Sequence, residues 1–405
     1  MEIEVLKFGG SILRDIEGFK RAADMVIKEL DRSHLPLCVV SALYGVTDRL
    51  IQAVEIAHTD RGFDPDSFMK SLYDEHLRAM PPTERAPSKL SGEFEKLGHA
   101  LAYIRSSGEL NDSAYAFAVS RGESFTSLIL SRHLRVRGVD NQCFYGEDLL
   151  VTDENCREAV VNLEKTKERV ATLLVPCLER QKVPIVAGFA GRSETGRVTI
   201  LGRGGSDDTA VCIAYCIGVK RVVKYVDEDG IMTVDPKFME EAKKHHPEVY
   251  RGLGDLPPPG VIPYLSYVEA SELLREERTR VVHYKVLDPL MKGNILLHIK
   301  NIFKPESNGT IIGPEEIHRE ESYGRPKAIS YQRNLYGLRF LPAQSRTPTE
   351  VYAKVFEALS KVGVDVRYLS TSGYQISLLM PQTDVERALK ALSGLDMAVD
   401  VSLIE

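Results

Sequence analysis

Leu201-Gly202-Arg203-Gly204-Gly205-Ser206-Asp207-Asp208-Thr209-Ala210 lies between an apolar, strand-like run, Val183 to Phe189, and an apolar helical run, Ala210 to Ile217. A glycine turn from strand to helix lets the backbone approach a ligand closely, here through Gly204 and Gly205. Ser206 and Asp207 then fall where a helix N-terminus offers free N–H groups and a partial positive charge. Arg203 adds a planar fork suited to carboxylate or phosphate. The stretch predicts an anion site; taken alone, it also fits an ordinary capped turn.

The start of the chain narrows the choice. Glu2-Ile3-Glu4-Val5-Leu6 alternates and runs into Lys7-Phe8-Gly9-Gly10-Ser11, a strand opening into a glycine turn with a lysine at its exit. A lysine there suits the neutralisation of a transferring phosphoryl group. Neither usual phosphate signature is present, since the chain has no G-x-x-x-x-G-K-[ST], no H-R-D and no D-F-G.

From these motifs the chain resembles the aspartate kinases of the amino-acid kinase superfamily. The matching pieces are Lys7 to Ser11, Val39-Val40-Ser41-Ala42 with Gly45-Val46-Thr47-Asp48, and Arg121-Gly122-Glu123. Gly202 to Asp207, Asp229-Gly230-Ile231-Met232-Thr233-Val234-Asp235-Pro236, and Lys300-Asn301 with Gly309-Thr310 complete the family's order. The resemblance implies a catalytic domain over residues 1–325, with a mostly parallel sheet sandwiched by helices. Within it, residues 63–113 are expected to form a helical arm, and residues 238–263, charged and proline-rich, an exposed insertion.

Strands and helices alternate through the first three hundred residues, as a parallel sheet covered on both faces requires. After Leu335 the pattern becomes strand, helix, hairpin, helix, strand, the ferredoxin-like βαββαβ plan. It resembles an ACT module, expected as a single regulatory and dimerisation domain over residues 330–405. An edge left open by one copy predicts a homodimer through that domain.

The resemblance implies ATP-dependent phosphorylation of the side-chain carboxylate of L-aspartate to 4-phospho-L-aspartate, opening lysine, threonine and methionine synthesis. It gives Lys7 and Asp207 the catalytic roles, Lys7 stabilising negative charge on the phosphates and Asp207 organising the reacting groups. Gly9 and Gly10 would offer N–H groups to the phosphates of ATP. Thr47, Glu123, Arg203, Gly204, Gly205 and Ser206 would bind aspartate, Glu123 taking the α-ammonium and Arg203 a carboxylate. Val226, Asp227, Met232, Lys237 and Arg280 stand at the family's nucleotide-binding positions. Val226 replaces the family's usual threonine there, Met232 a common tyrosine, and Arg280 a lysine. Mg²⁺ is expected to arrive on ATP, with no metal site of the protein's own. Two other readings stay open, a carboxylate or carbamate kinase with another acceptor and a non-catalytic amino-acid-binding regulator.

Composition fits an ordinary globular protein, with 43% hydrophobic and 27% charged residues in 405. The net charge of −6 argues against nucleic acid or anionic membrane as partner. No basic segment precedes an apolar stretch at the start, and no run approaches the ~20 apolar residues of a membrane span. A cytoplasmic protein is expected. The six cysteines form no C-x-x-C pair, so Cys212 and Cys216, on one helix face, read as buried thiols rather than ligands.

Overall fold

The structure, a computed structural model, describes residues 1–60, 62–82, 87–234, 240, 243–244, 260–274, 281–315, 335–342, 348–372, 375–393 and 397–404. The chain divides into two compact units, Met1–Ile329 and Ser330–Glu405.

In the first unit the strands are β1 (Glu2–Phe8), β2 (His34–Val40), β3 (Asn141–Tyr145), β4 (Val151–Thr152), β5 (Val183–Ala187) and β6 (Ala190–Ser193). β7 (Val198–Ile200), β8 (Arg221–Val226), β9 (Tyr264–Ser266), β10 (Leu296–Asn301) and β11 (Thr310–Gly313) follow. The helices are α1 (Ile16–Asp31), α2 (Val46–Thr59), α3 (Pro65–Arg78), α4 (Ser88–Ser107), α5 (Asp112–Val119) and α6 (Arg121–Arg135). After them come α7 (Gly146–Leu149), α8 (Leu163–Leu173), α9 (Val175–Glu179), α10 (Gly205–Ile217), α11 (Tyr267–Leu274) and α12 (Leu287–Gly293).

Eight strands form one sheet in the order β3-β5-β2-β1-β8-β10-β11-β9, parallel throughout except for the β10–β11 pair. Successive residues of β1 from Glu4 to Phe8, and all of β5, are buried. Burial at both parities means helices cover both faces, and explains why β5 reads as an apolar run rather than an alternating one. The chain leaves β1 for β2 on one side and β8 lies on the other, so the topological switch falls at the carboxyl ends of the central strands.

Local signals set several boundaries. Asp15 caps α1 by accepting from the Gly18 N–H, and Asn111 caps α5 through Ala114. The strand expected over Val183 to Phe189 stops at Ala187, because Phe189 takes a left-handed φ of 73°. That turn folds Phe189 toward the later glycine loop, with its N–H donated to the Thr209 hydroxyl.

The second unit is β12 (Leu335–Pro342), α13 (Pro348–Lys361), β13 (Tyr368–Ser372), β14 (Gln375–Pro381), α14 (Gln382–Leu392) and β15 (Met397–Ile404). Its antiparallel sheet runs β13-β14-β12-β15, the ferredoxin-like order. Leu338, Val351, Val355, Leu359, Ile376, Leu378 and Ala388 form its separate core. Among the described residues no helix is long and apolar enough to cross a membrane.

Candidate active site

The carboxyl ends of β1 and β2, the first turns of α2, α6 and α10, and the loop before α10 surround a cleft of about 730 Å³. Lys7 and Gly10, Thr47, Glu123, Arg203, Gly204, Gly205, Ser206 and Asp207 all line it. The structure therefore gathers in one cavity the groups expected for phosphoryl transfer and those expected for the acceptor.

Gly204 is the N-cap of α10 and has φ of 76°. A Cβ there would also lie 2.5 Å from the His283 Cβ. Backbone conformation and close approach both demand glycine. The tight turn delivers Ser206 and Asp207 into the first turn of the helix, where the helix dipole favours a carboxylate.

Asp207 is buried and held from two sides. Lys7 Nζ lies 2.6 Å from its Oδ1, and Lys224 Nζ donates to its Oδ2 at 2.5 Å. Burial opposes the charge of Asp207, but Lys224 and then Lys7 outweigh it and hold the carboxyl below the usual carboxylate range. Lys7 and Lys224 are register partners on the adjacent parallel strands β1 and β8. Two ammonium groups against one carboxylate leave this buried cluster with a net positive charge, suited to an anion arriving through the cleft.

Glu123, in the first turn of α6, is buried with 3% exposure. Helix α6 comes close enough at Gly122 that a Cβ would lie 2.7 Å from that of Ala42. The Glu123 carboxylate accepts backbone N–H groups of Ala42 and of Glu123 itself, while its Oε2 has no hydrogen-bond partner. Burial drives its pKa up to about 8, despite those hydrogen bonds and the charge of Lys7. An unpartnered carboxylate oxygen facing a cleft is a natural seat for an ammonium group.

Arg203 is exposed at the cleft wall, and Thr47 is half-buried beside it. Arg157 and Tyr115 complete the mouth, the guanidinium 4.1 Å from the ring centre and its Nε donating to Asp112 at 2.8 Å. Neither was anticipated from the sequence; an exposed arginine carries no local signal.

Of the described positions expected to bind nucleotide, Lys7 and Gly10 line this cavity, while Gly9, Val226, Asp227 and Met232 do not. Val226 ends β8, and Asp227 just beyond it pairs with Arg14 at 3.1 Å. Asp229 is bonded by Asn301 and Lys304, both at 2.7 Å. Met232 forms an isolated bridge with Val261. Gly9 adjoins the cluster, a Cβ there falling 3.7 Å from Lys7 Nζ. Lys237 and Arg280 lie outside the described residues, as does most of the segment 238–263.

Lys224 escaped the sequence reading. Its signal was a lysine inside the run Val222-Val223-Lys224-Tyr225-Val226, whose neighbours must be buried on both faces. Arg121 was read only as part of a motif. It is fully buried, bonded to Glu93 at 3.1 Å and Glu147 at 2.6 Å, and ties α6 to α4 and α7.

Comparison with known proteins bears on the family and the fold. Residues 2–301 match the amino acid kinase family, and residues 343–394 match an ACT domain. The chain is 30% identical over 385 residues to aspartokinase 1, chloroplastic, of Arabidopsis thaliana, covering 93% of this chain and 63% of that protein. It is 27% identical over 404 residues to the bifunctional aspartokinase/homoserine dehydrogenase of Haemophilus influenzae, covering 96% of this chain and 46% of that one. The chain thus spans about half to two thirds of the length of these two relatives. Escherichia coli aspartokinase III, solved in complex with aspartate and ADP, has the same fold, with a TM-score of 0.78 at 24% identity. That match covers 99% of this chain and 85% of the other.

Proposed function

Since the chain belongs to the amino acid kinase family, we propose that it transfers the γ-phosphoryl group of ATP to the side-chain carboxylate of L-aspartate. The observation that carries the reading is one cleft lined by Lys7 and Asp207, by a buried Glu123 with an open carboxylate oxygen, and by Arg203. The relatives named aspartokinase support it.

Aspartate carries one ammonium and two carboxylates. Glu123 receives the ammonium, Arg203 forks the α-carboxylate, and the Thr47 and Ser206 hydroxyls donate to the remaining oxygens. Gly204 and Gly205 keep the backbone close beneath the substrate. The free β-carboxylate is ionised at neutral pH and attacks the γ-phosphorus in line, without a general base or covalent enzyme intermediate. A C–O–P bond forms, the bond from the γ-phosphorus to the bridging oxygen breaks, and ADP leaves with the electron pair. Lys7, aided by the N–H groups of Gly9 and Gly10, offsets charge on the transferring group.

The cationic cluster fits a polyphosphate. Both Asp207 oxygens face lysines, Lys7 at 2.6 Å and Lys224 at 2.5 Å. Mg²⁺ would come with ATP and neutralise part of its phosphate charge. Val226, Asp227, Met232, Lys237 and Arg280 form the nucleotide side in this reading. The product would enter lysine, threonine and methionine synthesis in the cytoplasm. Edges at β13 and β15 support assembly of a homodimer through residues 330–405.

Incubation with ATP, Mg²⁺ and a panel of carboxylates and carbamate, trapping acyl phosphate with hydroxylamine, tests the assignment. Aspartyl hydroxamate should dominate. No aspartyl product alongside turnover of another acceptor would overturn the choice of substrate.

A further inference from the structure

Lys224 contributes charge to the cluster but touches neither substrate in the reading above, and its placement is costly. It stands on β8 in the middle of the sheet, with 6% exposure, among Val222, Val223, Tyr225 and Val226. An ammonium at such a site is tolerated only when paired. Its partners are Asp207 Oδ2 at 2.5 Å and the carbonyl of Val281. The register of β1 and β8 sets it directly beside Lys7, so both lysines reach one carboxylate from neighbouring strands. With an apolar residue at this position, Lys7 and Asp207 would form a neutral pair, and most of the Lys7 charge would be spent on its own partner.

We infer that Lys224 is a positioning residue for phosphoryl transfer: it neutralises Asp207 and so frees the charge of Lys7 for the transferring group. The inference rests on the ATP-dependent reading of the cleft. It implies a site whose strength depends on the protonation of a lysine that does not line the cavity.

Among the described residues, the groups facing Lys224 are Lys7 from β1, Asp207 from α10, and Glu228 beyond the end of its own strand. The residue opposite on β10 is the apolar Ile299. His283, close to Asp207, is held mainly neutral by burial and by Lys285 and Arg203. Burial, with Lys7 adding to it, brings the Lys224 ammonium down to about 8, against the pull of Asp207. Its charge is therefore present at pH 7 and lost as pH rises through about 8, within the range of a kinetic assay.

The test compares wild type with Lys224→Met, a substitution of similar length without charge, between pH 6.5 and 9.5. At pH 7 kcat should fall about 10- to 100-fold, while KM for aspartate stays within about 3-fold. At saturating aspartate the wild-type kcat/KM for ATP, which reports groups of the enzyme before ATP binds, should decline along an alkaline limb with apparent pKa near 8, and the variant should lack that limb. A variant kcat within about twofold of wild type, or an alkaline limb retained in the variant, overturns the inference. Should the variant not fold by circular dichroism, the wild-type profile decides alone, and a kcat/KM for ATP flat to pH 9.5 refutes it.

If wild type makes no aspartyl hydroxamate, the proposed function has failed, and binding of Mg-ATP by calorimetry tests Lys224 instead. Lys224→Met should then bind about fivefold or more weakly at pH 7 and equally at pH 9.5. Equal affinity at both pH values counts against the role of Lys224 itself.

Discussion

Replacing Glu123 by glutamine should stabilise the empty protein while damaging the acceptor site. Glu123 has an ordinary pKa of 4.5, raised in the fold to about 8 chiefly by burial. An acid raised in this way contributes most to stability below pH 4.5, and that contribution is lost as pH climbs toward 8. Between those values the unfolded chain releases a proton that the folded chain retains. By pH 7 about 2.5 units of that window have been crossed, which at about 1.4 kcal/mol per unit costs the fold about 3 kcal/mol. Glutamine keeps a carbonyl oxygen for the N–H groups of Ala42 and Glu123, and places an amide where Oε2 had no partner. Urea unfolding of Glu123→Gln should therefore show a gain of about 1–3 kcal/mol at pH 7 that nearly vanishes at pH 5. In the same variant KM for aspartate should rise about 100-fold or more, since the ammonium loses its counter-charge. Wild type should release close to one proton on binding aspartate at pH 7, seen as a buffer-dependent enthalpy. A variant less stable than wild type at pH 7, or equally stabilised at both pH values, would refute the reasoning.

Arg203→Ala should raise KM for aspartate about 100-fold and leave ATP affinity nearly unchanged; the reverse pattern would assign this guanidinium to the phosphates. Gly204→Ala should cost about 2–4 kcal/mol in urea unfolding, because it strains a left-handed φ and drives a Cβ into His283. An unchanged midpoint would show that the turn has another route. Asp207→Asn should lower stability by about 3–5 kcal/mol at pH 7, since two buried ammonium groups would face each other without a counter-ion. A chain ending near residue 326 should run as a monomer in light scattering. If it remains dimeric, the C-terminal unit is not the interface.

The fold was legible wherever glycine punctuated a change of period. Gly9-Gly10 after an apolar run, and Gly204-Gly205 before a helical one, marked the sheet-to-helix turns that carry Lys7 and Asp207. The βαββαβ order of the last seventy or so residues was visible as alternation and helical spacing around Leu338, Val355 and Leu378. The strand order of the large sheet was not legible, because parallel pairing depends on contacts between segments far apart in sequence. Val5, for instance, pairs with both Leu37 and Val222. Within the cleft, Lys7, Glu123, Arg203 and Asp207 each sit in a short sequence motif, and the fold brings them together. Lys224 was hidden by its company, since a lysine amid valines reads as a strand residue until its burial is known. The buried partners of Arg121 could not be read either, as Glu93 and Glu147 lie 28 and 26 residues away.

The Arg121 cluster bears on how this chain can diverge. Arg121 and Glu123 share one helical turn but answer to different demands, the first to the helical arm and the second to the cleft. Any lineage that altered Glu93 on α4 would leave a buried guanidinium short of charge and tilt the turn that aims Glu123. Drift in the arm is thereby coupled to acceptor affinity, even though no residue of α4 lines the cleft. Substitutions at Glu93, Arg121 and Glu147 should be accepted together or not at all, while exposed positions of the same arm vary without constraint from the chemistry.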